Sequence, residues 1–126
     1  MAKQVIRPEG AGSNPILSPG MRYGNLVFTA GQVAHDPRTG KMVEGGIAEQ
    51  ARQTMENVKA VLEAAGTTMD HVLKASCFIA NLEERPAFNE VYKEYFTSDP
   101  PVRTCVEAVL GPGVLIEVDV IAGMPE

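Results

Sequence analysis

The sequence predicts an α/β fold of the α+β kind, in which a mixed sheet carries two helices on one face. Three observations carry that expectation. Only two segments repeat apolar residues at helical spacing, several others alternate or run apolar as strands do, and Pro- and Gly-rich turns divide them. With 126 residues, 44% of them hydrophobic and 21% charged, the chain has the size and composition of one soluble domain, residues 1–126, around one core.

Residues 3–7 leave room for a short strand before Pro8, Gly10, Gly12, Pro15, Pro19 and Gly20 interrupt any long element. Residues 8–20 are therefore expected to form a long loop, either a pocket wall or a simple connection. Residues 26–33 (LVFTAGQV) have the β-branched and aromatic content of a strand. Leu26, Phe28 and Ala30 fall on one face and Val27, Thr29 and Val33 on the other, so both faces call for cover. After the polar turn from His35 to Gly40, Ala48, Ala51, Met55, Val58, Leu62 and Ala65 recur three and four apart. That spacing predicts a helix over residues 47–65, stopped by Gly66, with a charged outer face that is expected to be solvated.

Residues 71–79 (HVLKASCFI) alternate as a strand, with Leu73, Ala75, Cys77 and Ile79 expected to meet the helices. A second helix is predicted over residues 86–96, where Pro86 occupies a tolerated first-turn position and Phe88, Val91, Tyr92, Tyr95 and Phe96 recur at helical spacing as core. Pro100 and Pro101 force an extended entry into a strand over residues 102–110. Gly111, Pro112 and Gly113 separate it from a last strand over residues 114–122, and so short a turn suggests a hairpin. The order is β, β, α, β, α, β, β, with a right-handed helical crossover. Two helices cover only one face of such a sheet, and the other carries apolar pieces such as Phe78, so self-association through sheet packing is expected.

Composition excludes several functions. A net charge of -5 has the wrong sign for a domain that tracks a phosphate backbone. No apolar run approaches the ~20 residues of a membrane span, and the first residues show no stretch of signal-peptide length. With Cys77 and Cys105 in strand-like surroundings, a reduced, cytoplasmic chain is expected. His35 and His71 lack partners at metal-ligand spacing, and the glycines match neither a phosphate-binding loop nor a dinucleotide fingerprint.

The last two strands hold the candidate chemistry. Arg103, Cys105 and Glu107 alternate with Val102, Thr104 and Val106, and Glu117 and Asp119 alternate with Ile116, Val118 and Val120, which suggests one polar face that bears all five. Arg103 is singled out because a guanidinium stays charged and grips a carboxylate with two parallel N–H bonds; its plain alternative is an ion pair with Glu107, Glu117 or Asp119. Glu117 is the candidate general base or proton carrier for a water, with an ordinary salt bridge as its alternative. Cys105 has no histidine that can be placed beside it as a base, and pocket lining is its simplest role. Gly31 interrupts a strand, as glycines do at a bulge or where a ligand approaches the backbone.

GNLVFTAGQV (residues 24–33), QARQTMENVKAVLEAAG (residues 50–66), VYKEYF (residues 91–96) and PVRTCVEAVLGPGVLIEVDVIA (residues 101–122) together resemble the RidA (YjgF-like) reactive intermediate deaminases, in order through nearly the whole chain. The resemblance implies a chorismate-mutase-like subunit in a homotrimer with clefts at the subunit interfaces, and a last strand placed between two earlier ones. It implies hydrolysis of 2-imino or enamine acids, released by pyridoxal-phosphate enzymes, to 2-oxo acids and ammonia, without metal or organic cofactor. Carried over, Arg103 looks like the clamp on the substrate carboxylate, Glu117 like the acid that positions the attacking water, Gly31 and Cys105 like backbone contacts, and Asn89 like a further cleft residue. Where active members carry a tyrosine in the first long loop, this chain has Leu17, and near Gly111 it is one residue shorter than common members. Leu17 leaves three functions open: a bulkier or more apolar imine, a different enamine such as an aminomuconate-like one, or binding of a small carboxylate without turnover.

Overall fold

A computed structural model describes residues 2–126. Its strands are β1 (Gln4–Ile6), β2 (Gly20–Tyr23), β3 (Leu26–Thr29), β4 (Val72–Ile79), β5 (Val102–Glu107) and β6 (Ile116–Gly123); its helices are α1 (Ile47–Ala65) and α2 (Arg85–Tyr92). They form one mixed sheet in the order β1-β2-β3-β6-β4-β5. β4 and β5 run parallel, and β6 lies antiparallel between β3 and β4.

The predicted elements are present, with shifted limits and one addition. β2 forms where the long loop ends, because Gly24, at φ 60°, and Asn25 make a two-residue hairpin turn that folds Tyr23 back against Leu26. Gly–Asn is a recognised hairpin signal, and it stands in the sequence. The strand predicted over residues 26–33 stops at Thr29; beyond it Gln32 pairs with Val118 as an isolated bridge. α2 tightens after Tyr92 into a 3-10 turn over Lys93–Tyr95, and β5 ends at Glu107, short of Leu110. The turn through Gly111, Pro112 and Gly113 makes no hairpin, since β6 crosses past β4 to reach β3.

One core fills the space between the helices and the sheet. Val27, Met55, Val58, Leu62, Ala75, Cys77, Ile79, Phe88, Ile116 and Val118 are all buried in it. Leu73 does not join them, which corrects the expectation above. The ladder with β6 slips between Val72 and Lys74, so Val72 takes the core position and Leu73 is 53% exposed. The second face is open as expected: Leu26 and Phe28, alternating with buried Val27, are exposed, as are Val102 and Val106.

Two buried polar side chains, Gln50 of α1 and Thr67 just beyond that helix, clamp β6 at its ends. Gln50 donates to the Gly113 carbonyl at 2.8 Å and accepts from the Leu115 amide at 2.9 Å, while the Thr67 hydroxyl donates to the Gly123 carbonyl at 2.6 Å. The strand that carries Glu117 is thereby held in register by bonds in a low-dielectric interior, where they are strong.

Candidate functional site

The parallel pairing of β4 with β5 decides where Arg103 points. Ala75 stands opposite Arg103, Cys77 opposite Cys105 and Ile79 opposite Glu107, so those three β5 residues share the helix side with the buried residues of β4. On β6 the buried set is Ile116, Val118, Val120 and Ala122, which turns Glu117 and Asp119 to the open face beside Phe78 and Ser76. The single polar face expected for Arg103, Cys105, Glu107, Glu117 and Asp119 is therefore wrong: the first three lie on the helix side and the last two on the other.

Arg103 lies on the exposed edge of the sheet against α2. Its guanidinium donates from Nη1 to Asn89 Oδ1 at 2.7 Å, and its central carbon stands 4.8 Å from the Tyr92 ring centroid and 6.0 Å from that of Phe88. Asn89, which the resemblance named, therefore stands beside Arg103. Among the described residues Arg103 forms no ion pair with Glu107, Glu117 or Asp119. Glu107 instead accepts a hydrogen bond from the Leu82 amide at 2.9 Å. An unpaired guanidinium, steadied by a neutral acceptor and two ring faces, keeps donors free for an incoming anion.

Periodicity alone placed Phe88 and Tyr92 in the core, which is true of their burial and misses their second role. Spaced four apart on α2, they present adjacent ring faces to Arg103, a partnership that no local pattern signals because only the pairing of β5 with β4 brings Arg103 to the helix side. The Tyr92 hydroxyl is buried and has no hydrogen-bond partner among the described residues, and burial holds its phenol well above the usual range.

Gly31 and Leu17 belong to a second cluster. The Gln32 amide donates to Val118 at 2.8 Å and the Gln32 carbonyl accepts from it at 3.0 Å, and this bridge brings Gly31 against Glu117. A side chain at Gly31 would overlap Glu117 Oε2, so only glycine leaves that carboxylate its place. Asn57 of α1 holds the same segment by donating to the Val33 and His35 carbonyls. Leu17, half exposed, lines a cleft of about 440 Å³ with Gly31, Pro8, Pro19, Ala30 and Asn57. The long loop is a pocket wall.

Residues 12–124 match the family described as Endoribonuclease L-PSP. The chain belongs to this family, the RidA (YjgF-like) proteins. A RutC family protein of Pyrococcus abyssi is 43% identical over 125 residues, 97% of this chain and 98% of its own. The human 2-iminobutanoate/2-iminopropanoate deaminase is 36% identical over 97 residues, 76% of this chain and 71% of that protein. Among solved structures, Escherichia coli TdcF with bound serine superposes with a TM-score of 0.89 at 33% identity, covering 97% of this chain and 99% of that one. The RidA fold implied by the resemblance is the one observed, with β6 between β3 and β4.

A RidA chain so built carries its two clusters apart: Arg103, Asn89 and Cys105 on the helix side of β5, Glu117, Gly31 and Leu17 around β6 and the first loop. Among the described residues no group of His, Cys, Asp and Glu is arranged to hold a metal, and no helix is long and apolar enough to cross a membrane.

Asp119, next to Glu117 but one on β6, has its pKa raised by burial, against a hydrogen bond from Ser76 and the charge of Lys74. A carboxyl with a folded pKa above its unfolded one weakens folding once pH rises through the window between the two, and costs nothing below both. Asp119→Asn is therefore expected to raise the melting temperature at neutral pH by roughly 1–4 °C, with the gain gone below the ordinary carboxyl value of 3.8. Melting curves across pH decide it: a variant less stable than the parent at neutral pH would show that Asp119 makes a contact stronger than its burial cost.

Proposed function

We propose that this protein hydrolyses 2-imino acids and their enamine tautomers to 2-oxo acids and ammonia, in clefts where Arg103 of one copy meets Glu117 of a neighbour in a homotrimer. The observation that carries this reading is the unpaired Arg103 fork, held open by Asn89 over the rings of Phe88 and Tyr92. It suits a planar carboxylate. The human relative bears the deaminase name, and the TdcF structure contains serine, another 2-substituted carboxylic acid.

The chemistry asked of the protein is small. Arg103 takes the carboxylate with two parallel N–H bonds and fixes the plane of the adjoining C=N group, leaving its carbon exposed to water. Glu117 accepts a hydrogen bond from that water and takes its proton as oxygen bonds to the imine carbon. Nitrogen gains that proton, the new hydroxyl then gives its own proton to nitrogen as the C=O bond forms, and the C–N bond breaks, releasing ammonia and the 2-oxo acid. Backbone groups at Gly31 and Cys105 contact the substrate from the two sides. No step calls for a metal or organic cofactor, and the net negative charge keeps RNA a poor substrate. The reading places the protein in the cytoplasm, where dehydratases release such imines.

Leu17 shapes substrate choice in this reading. An apolar wall beside Gly31, continuous with Pro8, Pro19 and Ala30, favours an imine with a longer aliphatic side chain over 2-iminobutanoate. The test is 2-oxo acid or ammonia release from 2-iminobutanoate, made in place by a threonine dehydratase, and from the imine made from leucine by an amino acid oxidase. Acceleration is expected with both, with a kcat/KM roughly tenfold higher for the leucine-derived imine that Leu17→Tyr reverses. Tight 2-oxo acid binding without acceleration of any imine would replace the deaminase by a carboxylate-binding module.

A further inference from the structure

We propose that Cys77 and Cys105 form a reversible disulfide when the protein meets a hydroperoxide, making the β4–β5 pair a two-electron redox site. The two residues stand opposite each other on adjacent parallel strands, and both side chains lie on the helix side of the sheet. Neighbouring strands run ~4.8 Å apart, inside the ~4.4–6.8 Å that Cα atoms of a disulfide span. Both are free thiols here.

Their surroundings differ in a way that orders the reaction. Cys77 is 1% exposed in the core, and burial pushes its thiol up to about 12, with the charge of Cys105 adding to the rise. Cys105 is partly exposed and packs on the edge of the same core, so a small oxidant reaches it first. β5 is also the outermost strand, bonded on one side only. It can shift toward β4 to close the bond without breaking a second ladder.

The electron balance is that of a thiol pair and a peroxide. The Cys105 sulfur attacks one peroxide oxygen, the O–O bond breaks, and a sulfenic acid and one water result. The Cys77 sulfur then attacks the sulfenic sulfur; the S–S bond forms, the S–O bond breaks, and the second thiol proton leaves in a second water. Two thiols lose two electrons and the peroxide gains them. Arg103 lies two residues before Cys105 on the shifting strand, so oxidation moves the guanidinium relative to Asn89 and α2. This inference goes beyond the deaminase reading and does not rest on it.

The test treats the assembled protein with hydrogen peroxide, removes the excess with catalase, unfolds and alkylates it, and maps peptides by mass spectrometry without reductant. Most chains should lose two hydrogen atoms in intact mass, escape alkylation at both cysteines and yield a peptide joining Cys77 to Cys105 within one chain, all reversed by dithiothreitol. Cys77→Ala should instead carry sulfinic acid on Cys105. The proposal is overturned if the unsubstituted protein ends with sulfinic acid on Cys105 and Cys77 still open to alkylation, or with Cys105 joined between chains. The unsubstituted protein decides the matter even if the variant folds poorly.

Discussion

Replacing Arg103 with alanine should lower kcat/KM for imine hydrolysis by roughly 100- to 1000-fold, which corresponds to losing a charged, hydrogen-bonded contact worth about 3–4 kcal/mol. Arg103→Lys should recover little of it, because an ammonium keeps the charge but not the planar fork that Asn89 and the two rings hold in place. Stability should hardly change, since the guanidinium is exposed and bonds only to Asn89 Oδ1 among the described residues. A melting curve beside the kinetics separates a lost clamp from a damaged fold.

A stronger form of the same prediction uses the two faces. Arg103 and Glu117 project from opposite sides of one sheet, so in the proposed assembly a working cleft takes one residue from each of two copies. Arg103→Ala and Glu117→Gln chains should each be nearly inactive alone. Refolded together in equal amounts, they should regain activity in roughly a quarter of the clefts, those in which an intact Arg103 meets an intact Glu117. Mixed assemblies as inactive as either parent would place both groups in one chain's site, or show that Glu117 has no part in the reaction.

Phe88→Ala should be the most damaging core substitution near the site. The side chain is fully buried, touches Tyr92 at a centroid distance of 5.5 Å and lies beneath Arg103. Its removal opens a cavity that costs about 3–5 kcal/mol and lowers the melting temperature by about 10 °C or more. Phe88→Leu fills much of the volume and should recover most of the stability, yet it takes one of the two ring faces from under the guanidinium. A KM for the imine several-fold above the parent's is expected in that variant, with kcat changed less. If Phe88→Leu matched the parent in both constants, Tyr92 alone would suffice as the platform.

Much of the fold was legible from local pattern. The spacing from Ala48 to Ala65 marked the first helix to its last residue, and the aromatic repeat from Phe88 to Phe96 marked the second with its 3-10 end. Gly24–Asn25 could have announced β2. Leu73 was misplaced because a bulge at that residue breaks the alternation that Ala75, Cys77 and Ile79 keep, and no residue type in HVLKASCFI advertises it. Arg103, Glu117, Gly31, Cys105, Leu17 and Asn89 could all be named from the sequence, but the partnership of Arg103 with Phe88 and Tyr92 could not.

The sequence by itself determined most of the helices and strands and which residues alternate, and it singled out Arg103 while leaving Glu107, Glu117 and Asp119 as its possible partners. Tertiary structure alone decided which alternating set faces which way. Alternation has a period of two and no sign: it says that Arg103 and Cys105 share a side with each other and Glu117 with Asp119, and nothing about how one strand's sides relate to another's. That relation comes from pairing across distance, β5 parallel to β4 and β6 inserted against β3, where the hydrogen bonds are made by backbone that is the same for every residue type. The core chose among the possible pairings. Burying Ile116, Val118 and Val120 against the helices sent Glu117 outward, and burying Ala75 and Cys77 brought Arg103 over α2.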